Sequence, residues 1–361
     1  MTPLLTIGIP TYNRVELLRL GLKNVFAARR GFEVEVEVVV CDNASTDDTQ
    51  AMLAEFAAET NTRFVRNVNN IGAHNNFLKV AMELAQGEYC WLFGDDDFMQ
   101  PHAIRDVLVM LREHRDLDFF MLNHFVLMIE ERNRLIANGV TDYCPEHSRS
   151  VCLNMESGQF DHVGKVLELG AGDFRLFTHI VGQIIRTSVW RTARPRCDSE
   201  FNGRLEFDQL EITYPHLMFL LEKAKDRPVW YCGTPMVGAV LGSQEWSGKL
   251  WLDCVYVSYE LIAAAKRVGV SRQHRQRMVE FWLKYWLDFL PPLCGRSRHY
   301  TPPPTLLRRF LLRSLRHPCE FLPLLARQLA HDGRRFLGTR VGLLRGRFKG
   351  AADGSAPRPG V

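Results

Sequence analysis

An apolar segment of strand length that runs directly into three carboxylates places the strongest constraint on the fold of this chain. Residues 89–93 read Tyr-Cys-Trp-Leu-Phe, and Gly94 and Asp95–Asp97 follow at once. Carboxylates at the end of a buried strand repel one another unless a cation offsets their charge, and Mg²⁺ prefers oxygen ligands that it shares with substrate phosphates. The segment therefore predicts a metal-assisted site for phosphate-containing substrates. The alternative interpretation is a solvated acidic turn before a helix near Pro101.

Strand and helix patterns alternate through the N-terminal third of the chain. Strand patterns occupy residues 4–9, 34–41, 63–66 and 89–93, and helical patterns occupy residues 14–28, 49–59 and 73–85. This alternation predicts an α/β fold with a mostly parallel sheet and helices on both faces. Ligands bind such sheets at the carboxyl ends of the strands, so the loops 10–13, 42–48 and 94–97 are expected to converge. The absence of a Gly-x-Gly-x-x-Gly or Walker lysine motif after the first strand argues against a dinucleotide or P-loop ATPase site.

Four motifs, in this order and spacing, resemble those of family 2 glycosyltransferases. They are Thr6–Arg14, Val39–Thr49, Asn70–Gly72 and Gly87–Asp97, and the resemblance covers roughly residues 4–110. The Gly-Asp-Asp-Asp variant and the segments Gly233–Pro235 and Gln244–Ser247 resemble the abequosyltransferase-type branch. The resemblance implies the glycosyltransferase A-type fold, which is Rossmann-like. It also implies transfer of a hexosyl or deoxyhexosyl group from a nucleoside diphosphate sugar to a hydroxyl acceptor, usually with inversion and with Mg²⁺ or Mn²⁺ as cofactor.

Position within these motifs assigns a set of residues to the nucleotide-sugar donor. The set is Pro10, Thr11, Asn13, Asp42, Asn43, Gly72 and Asp95, to which helical spacing adds Asn76. The resemblance implies that Asp42 reads the base, which favours a pyrimidine, and Gly72 permits close approach of the backbone. Asn43 taken alone is better explained as a turn or cap residue. Asn76 and Lys79 lie one helical turn apart and are equally explained by a solvated helix face.

Asp96 and Asp97 are the predicted metal ligands. The commoner family pattern is Asp-x-Asp-Asp with a proline four residues later, and Pro101 lies four residues after Asp97. That register puts Gly94 at the usual first aspartate and makes Asp96 the main ligand. A second register assigns Asp95 to the ribose and Asp97 to the metal, and both registers stay open.

An inverting transfer also needs a general base that takes the proton of the acceptor hydroxyl. The resemblance implies an acidic residue at the start of a helix after the central region, where residues 204–211 lie. Asp208 is the first choice and Glu206 the second, although Phe207 interrupts the usual Glu-Asp pair. The alternative is that both are ordinary acids at a helix start, which favours negative charge. His216 is a further candidate, although a lone histidine is more often structural.

Gln244, Glu245 and Trp246, together with Trp251, are candidates for the sugar or acceptor site. Aromatic faces with polar neighbours suit carbohydrate rings, but tryptophan is also a common core residue. Residues 250–290 have helical spacing and form the predicted C-terminal helical extension. The predicted domains are therefore 1–240 (nucleotide-sugar-binding and catalytic), 241–300 (helical, on the acceptor side) and 301–361 (basic tail).

The basic charge of the chain is concentrated in its C-terminal tail. Residues 305–361 contain 12 Lys and Arg against 3 Asp and Glu, whereas the whole chain of 361 residues has a net charge of +4. Arginines interleave with leucines and phenylalanines over residues 305–349, a pattern that suits an anionic membrane surface; the alternative is a helical face packed on the body. The chain shows no nucleic-acid module, so nucleic acid is not an expected partner.

Nine scattered cysteines without Cys-x-x-Cys predict reduced thiols and a cytoplasmic setting, and no apolar run reaches the ~18 residues of a membrane span. The leading hypothesis is a metal-dependent glycosyltransferase, peripheral on the inner face of the cell membrane. Its acceptor would be a glycan or lipid-linked glycan of a bacterial surface polysaccharide, such as an O-antigen or lipopolysaccharide. One alternative is a sugar nucleotidyltransferase, but such enzymes normally need a glycine-rich phosphate loop after the first strand, and Pro10–Arg14 is not such a loop. The other alternative is a non-catalytic protein that binds nucleotide or membrane.

Overall fold

The computed structural model describes residues 2–139, 156–170, 175–193, 214–243 and 260–287, together with Ala326 and Ala330. The chain divides into two compact units, Met1–Met278 and Val279–Val361. The sheets and the site described below belong to the first unit. The domain boundaries at residues 240 and 300 remain predictions.

Eleven strands lie in the described residues. They are β1 (Leu5–Thr11), β2 (Val36–Asp42), β3 (Thr62–Arg66), β4 (Tyr89–Leu92), β5 (Phe98–Met99), β6 (Phe119–Leu122), β7 (Phe125–Met128), β8 (Gly158–Phe160), β9 (Gln183–Arg186), β10 (Val229–Cys232) and β11 (Val237–Leu241).

The described helices separate most of these strands. They are α1 (Val15–Arg29), α2 (Thr49–Ala54), α3 (Ala73–Lys79), α4 (Ala103–Glu113), α5 (Ile129–Ala137), α6 (Val163–Leu169), α7 (Arg175–Thr178), α8 (Thr187–Trp190), α9 (Pro215–Lys223), α10 (residues 260–267) and α11 (Arg272–Leu287). A π-helical turn at Val80–Leu84 continues α3, so the helix predicted over 73–85 changes its hydrogen-bonding pattern part-way. The helix predicted over 49–59 ends earlier, at Ala54. None of the helices in these described segments combines the length and apolar character needed to cross a bilayer.

The main sheet has eight strands in the order β3-β2-β1-β4-β9-β6-β10-β8. The first four strands of this order are parallel, and β9 pairs antiparallel with both β4 and β6. Strand β6 therefore runs in the same direction as β4, and β10 is parallel to β6. Six of the eight strands share one direction, so the predicted mostly parallel sheet is confirmed. The carboxyl ends of β1, β2, β4 and β6 meet at one edge.

A second sheet of three strands, in the order β5-β11-β7, joins segments that are distant in the sequence. Strand β5 directly follows the acidic triplet, and its Phe98 and Met99 pair with Gly238 and Val237 of β11. Strand β11 is also parallel to β7. The triplet therefore lies between the end of a central strand and the start of this small sheet.

Helices cover both faces of the main sheet because its central strands are apolar on both sides. On one face Ile7 of β1 and Val38 of β2 belong to the same core cluster as Leu22 of α1. On the other face Gly8 meets the π-helical turn. A Cβ atom at Gly8 would lie 2.3 Å from Cγ1 of Val80, so the absence of a side chain is what allows this close packing.

We therefore expect Gly8→Ala to lower the free energy of unfolding by about 1–3 kcal/mol, because the added methyl group overpacks against Val80. Urea unfolding of the two single variants and of Gly8→Ala/Val80→Ala measures this directly. Shortening Val80 makes room for the methyl group, so the double variant should be more stable than the sum of the single effects predicts. Strict additivity would contradict the packing described here.

Candidate active site

The loops after β1 and β4 are bonded to each other at the carboxyl edge of the sheet. The Thr11 hydroxyl donates to Oδ2 of Asp95 over 2.7 Å. The Arg14 guanidinium forms salt bridges with Asp95 at 2.8 Å and with Asp96 at 2.6 Å. The loop after β2 joins them, because the Asn43 N–H donates to the Thr11 carbonyl over 2.9 Å. The convergence expected from the sequence is therefore present.

Asn13 fixes the backbone of the first loop. It adopts a left-handed conformation with φ of 53°, which asparagine tolerates better than most residues. Its N–H donates to the Ser45 hydroxyl over 2.8 Å, and its side-chain oxygen accepts from the Thr46 N–H over 2.7 Å. The next anchor is the Val15 N–H, which donates to Asp47 over 3.1 Å. The main chain on both sides of Arg14 is thus held by the second loop.

Asp42 is fully buried at the end of β2 and both of its oxygens accept protein donors. One accepts from the Ser45 N–H over 2.9 Å, and the other accepts from the Gln50 amide over 2.6 Å. Asp42 therefore holds the second loop in shape. Its contact with a nucleotide base stays a prediction.

A chain of amide side chains connects the end of β2 to α3. Asn67 donates from its amide nitrogen to the oxygens of Asn43 and Asn76, in each case over 3.0 Å, and its own oxygen accepts from Lys79 over 2.7 Å. Asn76 donates in turn to the Cys41 carbonyl over 3.0 Å. Asn43 and Asn76 are 2% exposed, so the structure gives these two residues a structural role in joining β2 to α3, and their contact with a nucleotide stays a prediction. Gly72, with φ of 81°, forms the turn before α3.

Asp97 connects the triplet to β11. Its carboxylate accepts from the Val240 N–H over 3.0 Å and from the Gly94 N–H over 3.1 Å. A Cβ atom at Gly94 would lie 2.3 Å from Oδ2 of Asp97, so a side chain at this position would displace the carboxylate. Within the triplet, Asp97 is therefore bound by backbone groups, whereas Asp95 and Asp96 are bound by Arg14.

Burial and mutual repulsion shift the pKa values of the charged groups in and around the triplet. Burial raises the pKa of Asp95 to about 6; the attraction of Arg14 opposes this and the repulsion of Asp96 adds to it. Burial, followed by repulsion from Asp96, raises the pKa of Asp97 well above its ordinary value. Burial also disfavours the charged Arg14, but the attraction of Asp95 and Asp96 outweighs it and raises the pKa of Arg14.

This charge distribution fits a hard cation that shares its ligands with a bound substrate. The donors are all oxygens, and the negative charge of the triplet exceeds the single positive charge of Arg14 that contacts it directly. Within the described part of the chain, no group of three or more carboxylate, imidazole or thiol side chains is arranged to enclose a metal ion by itself. Completion of the shell by phosphate oxygens is what Mg²⁺ sites usually show.

Arg132 was not among the residues singled out from the sequence. It is fully buried on α5 and donates to the carbonyls of Asp95 at 3.4 Å and of Leu17 at 3.2 Å. Gly21 of α1 permits this approach, because a Cβ there would lie 2.6 Å from the Asp95 carbonyl oxygen. Arg132 thus holds the backbone of the triplet through the Asp95 carbonyl. Burial lowers the pKa of the Arg132 guanidinium. Its position in a charged helix gave no sequence signal.

A histidine pair was also missed. The ring nitrogens of His124 and His179 lie 2.9 Å apart, with His124 fully buried just after β6 and His179 just before the 3₁₀ turn that leads into β9. The end of β6 and the start of β9 lie at the edge that carries the triplet. The signal available was the position of Asn123 and His124 directly after an apolar strand.

Several predicted site residues lie outside the described residues. They are the base candidates Asp208 and Glu206, the acceptor candidates Gln244, Glu245 and Trp246, Trp251, and the tail 305–349 apart from Ala326 and Ala330. His216 is described and is buried at the start of α9, with 4% of its surface exposed. Burial lowers its pKa to about 4, against the opposing effect of the backbone at Thr178 and Phe177. A neutral, enclosed imidazole is typical of a structural histidine.

Residues 6–135 match the family model described as Glycosyl transferase family 2. This region contains the loops after β1, β2 and β4 with the triplet. The sequence resemblance to family 2 glycosyltransferases is therefore confirmed, and the site lies in the region that carries it.

Two curated relatives resemble part of this chain. Abequosyltransferase RfbV of Salmonella typhimurium is 37% identical over 115 residues, which are 31% of this chain and 33% of that protein. Chondroitin synthase of Escherichia coli is 32% identical over 139 residues, which are 38% of this chain and 19% of the synthase. The matched segments thus span a third or less of the length of these relatives.

A solved structure resembles more of the chain. The crystal structure of S. aureus TarS 1–349 in complex with UDP-GlcNAc has a TM-score of 0.53 and 15% identity, and the match covers 86% of this chain and 79% of that one. At this identity the likeness concerns the fold, and the predicted glycosyltransferase A-type α/β fold is confirmed.

The burial of His216 predicts a loss of stability on acidification. The unfolded histidine gains its proton near pH 6.5, whereas the folded one resists protonation down to about pH 4, so the stability contributed at neutral pH is lost as the pH falls through this window. We expect a cost of about 2 kcal/mol at pH 5 relative to pH 7.5. Urea unfolding at both pH values measures it, with His216→Phe as the variant and His114→Phe as the histidine control. An equal acid loss in wild type and His216→Phe would contradict the assignment.

Proposed function

We propose that this protein is a metal-dependent, inverting glycosyltransferase that moves a sugar from a nucleoside diphosphate sugar to a hydroxyl of a glycan acceptor. The observation that carries the proposal is the bonding of the triplet Asp95–Asp97 to Thr11 and Arg14 at the carboxyl edge of the sheet. This edge is where α/β sheets bind ligands, and the matched family region contains every residue of that contact. The names of the relatives, abequosyltransferase and chondroitin synthase, support sugar transfer.

Donor binding is assigned to the two loops that precede the triplet. Pro10, Thr11 and Asn13 would face the nucleotide, Asp42 would read a pyrimidine base, and Asp95 would contact the ribose side. Asp96 and Asp97 would hold Mg²⁺ or Mn²⁺, whose charge offsets the negative charge that develops on the diphosphate leaving group. The likeness of the fold to TarS, which was crystallised in complex with UDP-GlcNAc, supports a nucleotide-sugar donor.

The acceptor is assigned to the segment that follows β11. The Ser243 hydroxyl donates to Asp96, and the Ser243 carbonyl accepts from Arg14 over 3.2 Å. The chain therefore enters the segment that carries Gln244, Glu245 and Trp246 from a point in contact with the triplet. We propose that this segment contacts the donor sugar or the acceptor.

We propose a lipid-linked glycan of a bacterial surface polysaccharide as the acceptor, reached from the cytoplasmic face of the membrane. The basic, leucine-rich sequence 305–349 supports peripheral attachment to anionic lipid. The described thiols support a reducing compartment, since Cys41, Cys90 and Cys232 are free.

A thermal-shift panel of nucleoside diphosphates with and without Mn²⁺ tests the donor site. A ligand at 100 times its Kd stabilises the folded state by about 2.7 kcal/mol, so one nucleotide should raise the Tm by several degrees, and only with metal. We expect Asp96→Ala to abolish this ligand-induced rise. Asp106→Ala, which changes a partly exposed aspartate on α4, should retain it. No rise with any nucleotide would contradict the donor site and favour the non-catalytic alternative. Pyrophosphate release from a nucleoside triphosphate and a sugar phosphate would instead favour a nucleotidyltransferase.

The proposed base is tested by separate Asp208→Asn and Glu206→Gln variants. Loss of the base should lower turnover about 10²–10⁴-fold while nucleotide-induced stabilisation persists, because the base acts on the acceptor rather than on the donor. Sugar transfer to the acceptor, measured with the donor identified by thermal shift, gives the comparison. Unchanged turnover in both variants would overturn the assignment of the base without affecting the donor site.

A further inference from the structure

Arg14 provides the only cationic side-chain contact to Asp95 and Asp96 among the residue pairs of the described chain that form salt bridges. Its two terminal nitrogens are divided between the two carboxylates, at 2.8 Å to Asp95 and 2.6 Å to Asp96. The guanidinium therefore takes the position of a counter-ion between two groups that otherwise repel each other.

One oxygen of the Asp96 carboxylate is already bound by two donors of the protein. The Oδ2 atom accepts from Arg14 and also from the Ser243 hydroxyl. A carboxylate oxygen has two lone pairs, so both acceptor positions of Oδ2 are used. The Oδ1 atom is turned toward the backbone, 3.0 Å from where a Cβ at Gly94 would lie. A divalent cation at Asp96 would therefore face a guanidinium at contact distance.

Arg14 has the freedom to leave this position. Its side chain is 23% exposed, whereas the side chains of Asp95 and Asp96 are 3% and 11% exposed. The main chain on either side is fixed by the contacts of Asn13 and Val15 described above, so a change at Arg14 involves the side chain alone. A planar guanidinium binds phosphate oxygens with two parallel hydrogen bonds, which makes a diphosphate a matching second partner.

We propose that Arg14 is an exchangeable counter-ion of the triplet. Without ligand it offsets part of the negative charge of Asp95 and Asp96 and opposes metal binding. With metal and diphosphate both bound, Asp96 would hold the metal and Arg14 would bind the diphosphate. Metal binding in the absence of nucleotide is therefore weak, and the two ligands bind in a coupled manner. The inference rests on the proposed donor site and adds how its charge is balanced before the donor arrives.

The first half of the proposal, that Arg14 opposes metal binding, is tested by titration with Mn²⁺ alone. The electron paramagnetic resonance signal of free Mn²⁺ measures how much of the ion is bound. We expect Arg14→Gln to bind Mn²⁺ at least about tenfold more tightly than wild type, because a positive charge in contact with the site has been removed. Arg19→Gln is the matched control: it removes the same charge from α1, where Arg19 pairs with Glu55. Arg14→Lys, which keeps the charge, should bind Mn²⁺ much as wild type does.

Calorimetric titration with inorganic pyrophosphate, at a Mn²⁺ concentration that saturates the site of each variant, tests the second half. Arg14→Gln should bind pyrophosphate at least about fivefold more weakly than wild type, since a charge-assisted pair of hydrogen bonds is lost. Arg19→Gln should not differ from wild type. Opposite changes in Mn²⁺ and pyrophosphate affinity in one variant are specific to an exchangeable counter-ion, because a loss of folding would weaken both.

Unchanged or weaker Mn²⁺ binding by Arg14→Gln, or unchanged pyrophosphate binding, overturns the proposal. The Asp96→Ala variant separates this failure from failure of the proposed function. If Asp96→Ala abolishes the Mn²⁺ binding of wild type while Arg14→Gln leaves it unchanged, the metal site stands and the role of Arg14 is wrong. If Asp96→Ala also leaves Mn²⁺ binding unchanged, both the metal site and the role of Arg14 are wrong.

Discussion

The repulsion among three adjacent carboxylates at the end of β4 is the constraint on which the surrounding structure depends. Distant parts of the chain stabilise the carboxylates: Thr11 and Arg14 bind Asp95, Arg14 and Ser243 bind Asp96, and the Val240 N–H binds Asp97. An isolated triplet at this depth would lose its charge by protonation. Folding therefore brings the loop after β1 and the strand β11 to the same point, although more than two hundred residues separate them in the sequence.

Close backbone approach gives this centre its geometry. Gly21 lets α1 touch the Asp95 carbonyl, and Gly94 leaves room for the Asp97 carboxylate. Arg132 then donates to the same Asp95 carbonyl from a fully buried position. These contacts fix the backbone that carries the triplet, and a fixed backbone is a general requirement for a preorganised electrostatic site.

The sequence predicts the parallel half of the sheet well, because β1, β2 and β4 are largely apolar and helices of regular spacing separate the strands. It does not predict β5, which has two residues and forms only because β11 pairs with it from far along the chain. The same distinction holds in the site. The sequence identifies Asp95–Asp97 because they directly follow their strand. It does not identify Arg132 or the pair His124–His179, because these residues acquire their positions only through tertiary packing. Asn76 was placed near the nucleotide on helical spacing, which does not reveal that its amide is used by Asn67 and Cys41.

The position of β9 has a consequence for how this protein can be divided. The region that matches the family model ends at residue 135, yet β9, at Gln183–Arg186, lies between β4 and β6 and pairs with both. A fragment that stopped at the end of the matched region would leave two central strands with open hydrogen-bonding edges in the middle of the sheet, and such edges promote association between molecules. The recognisable part of the sequence and the smallest unit that folds are therefore different lengths of chain, and a minimal version of this protein needs at least the strands up to β11.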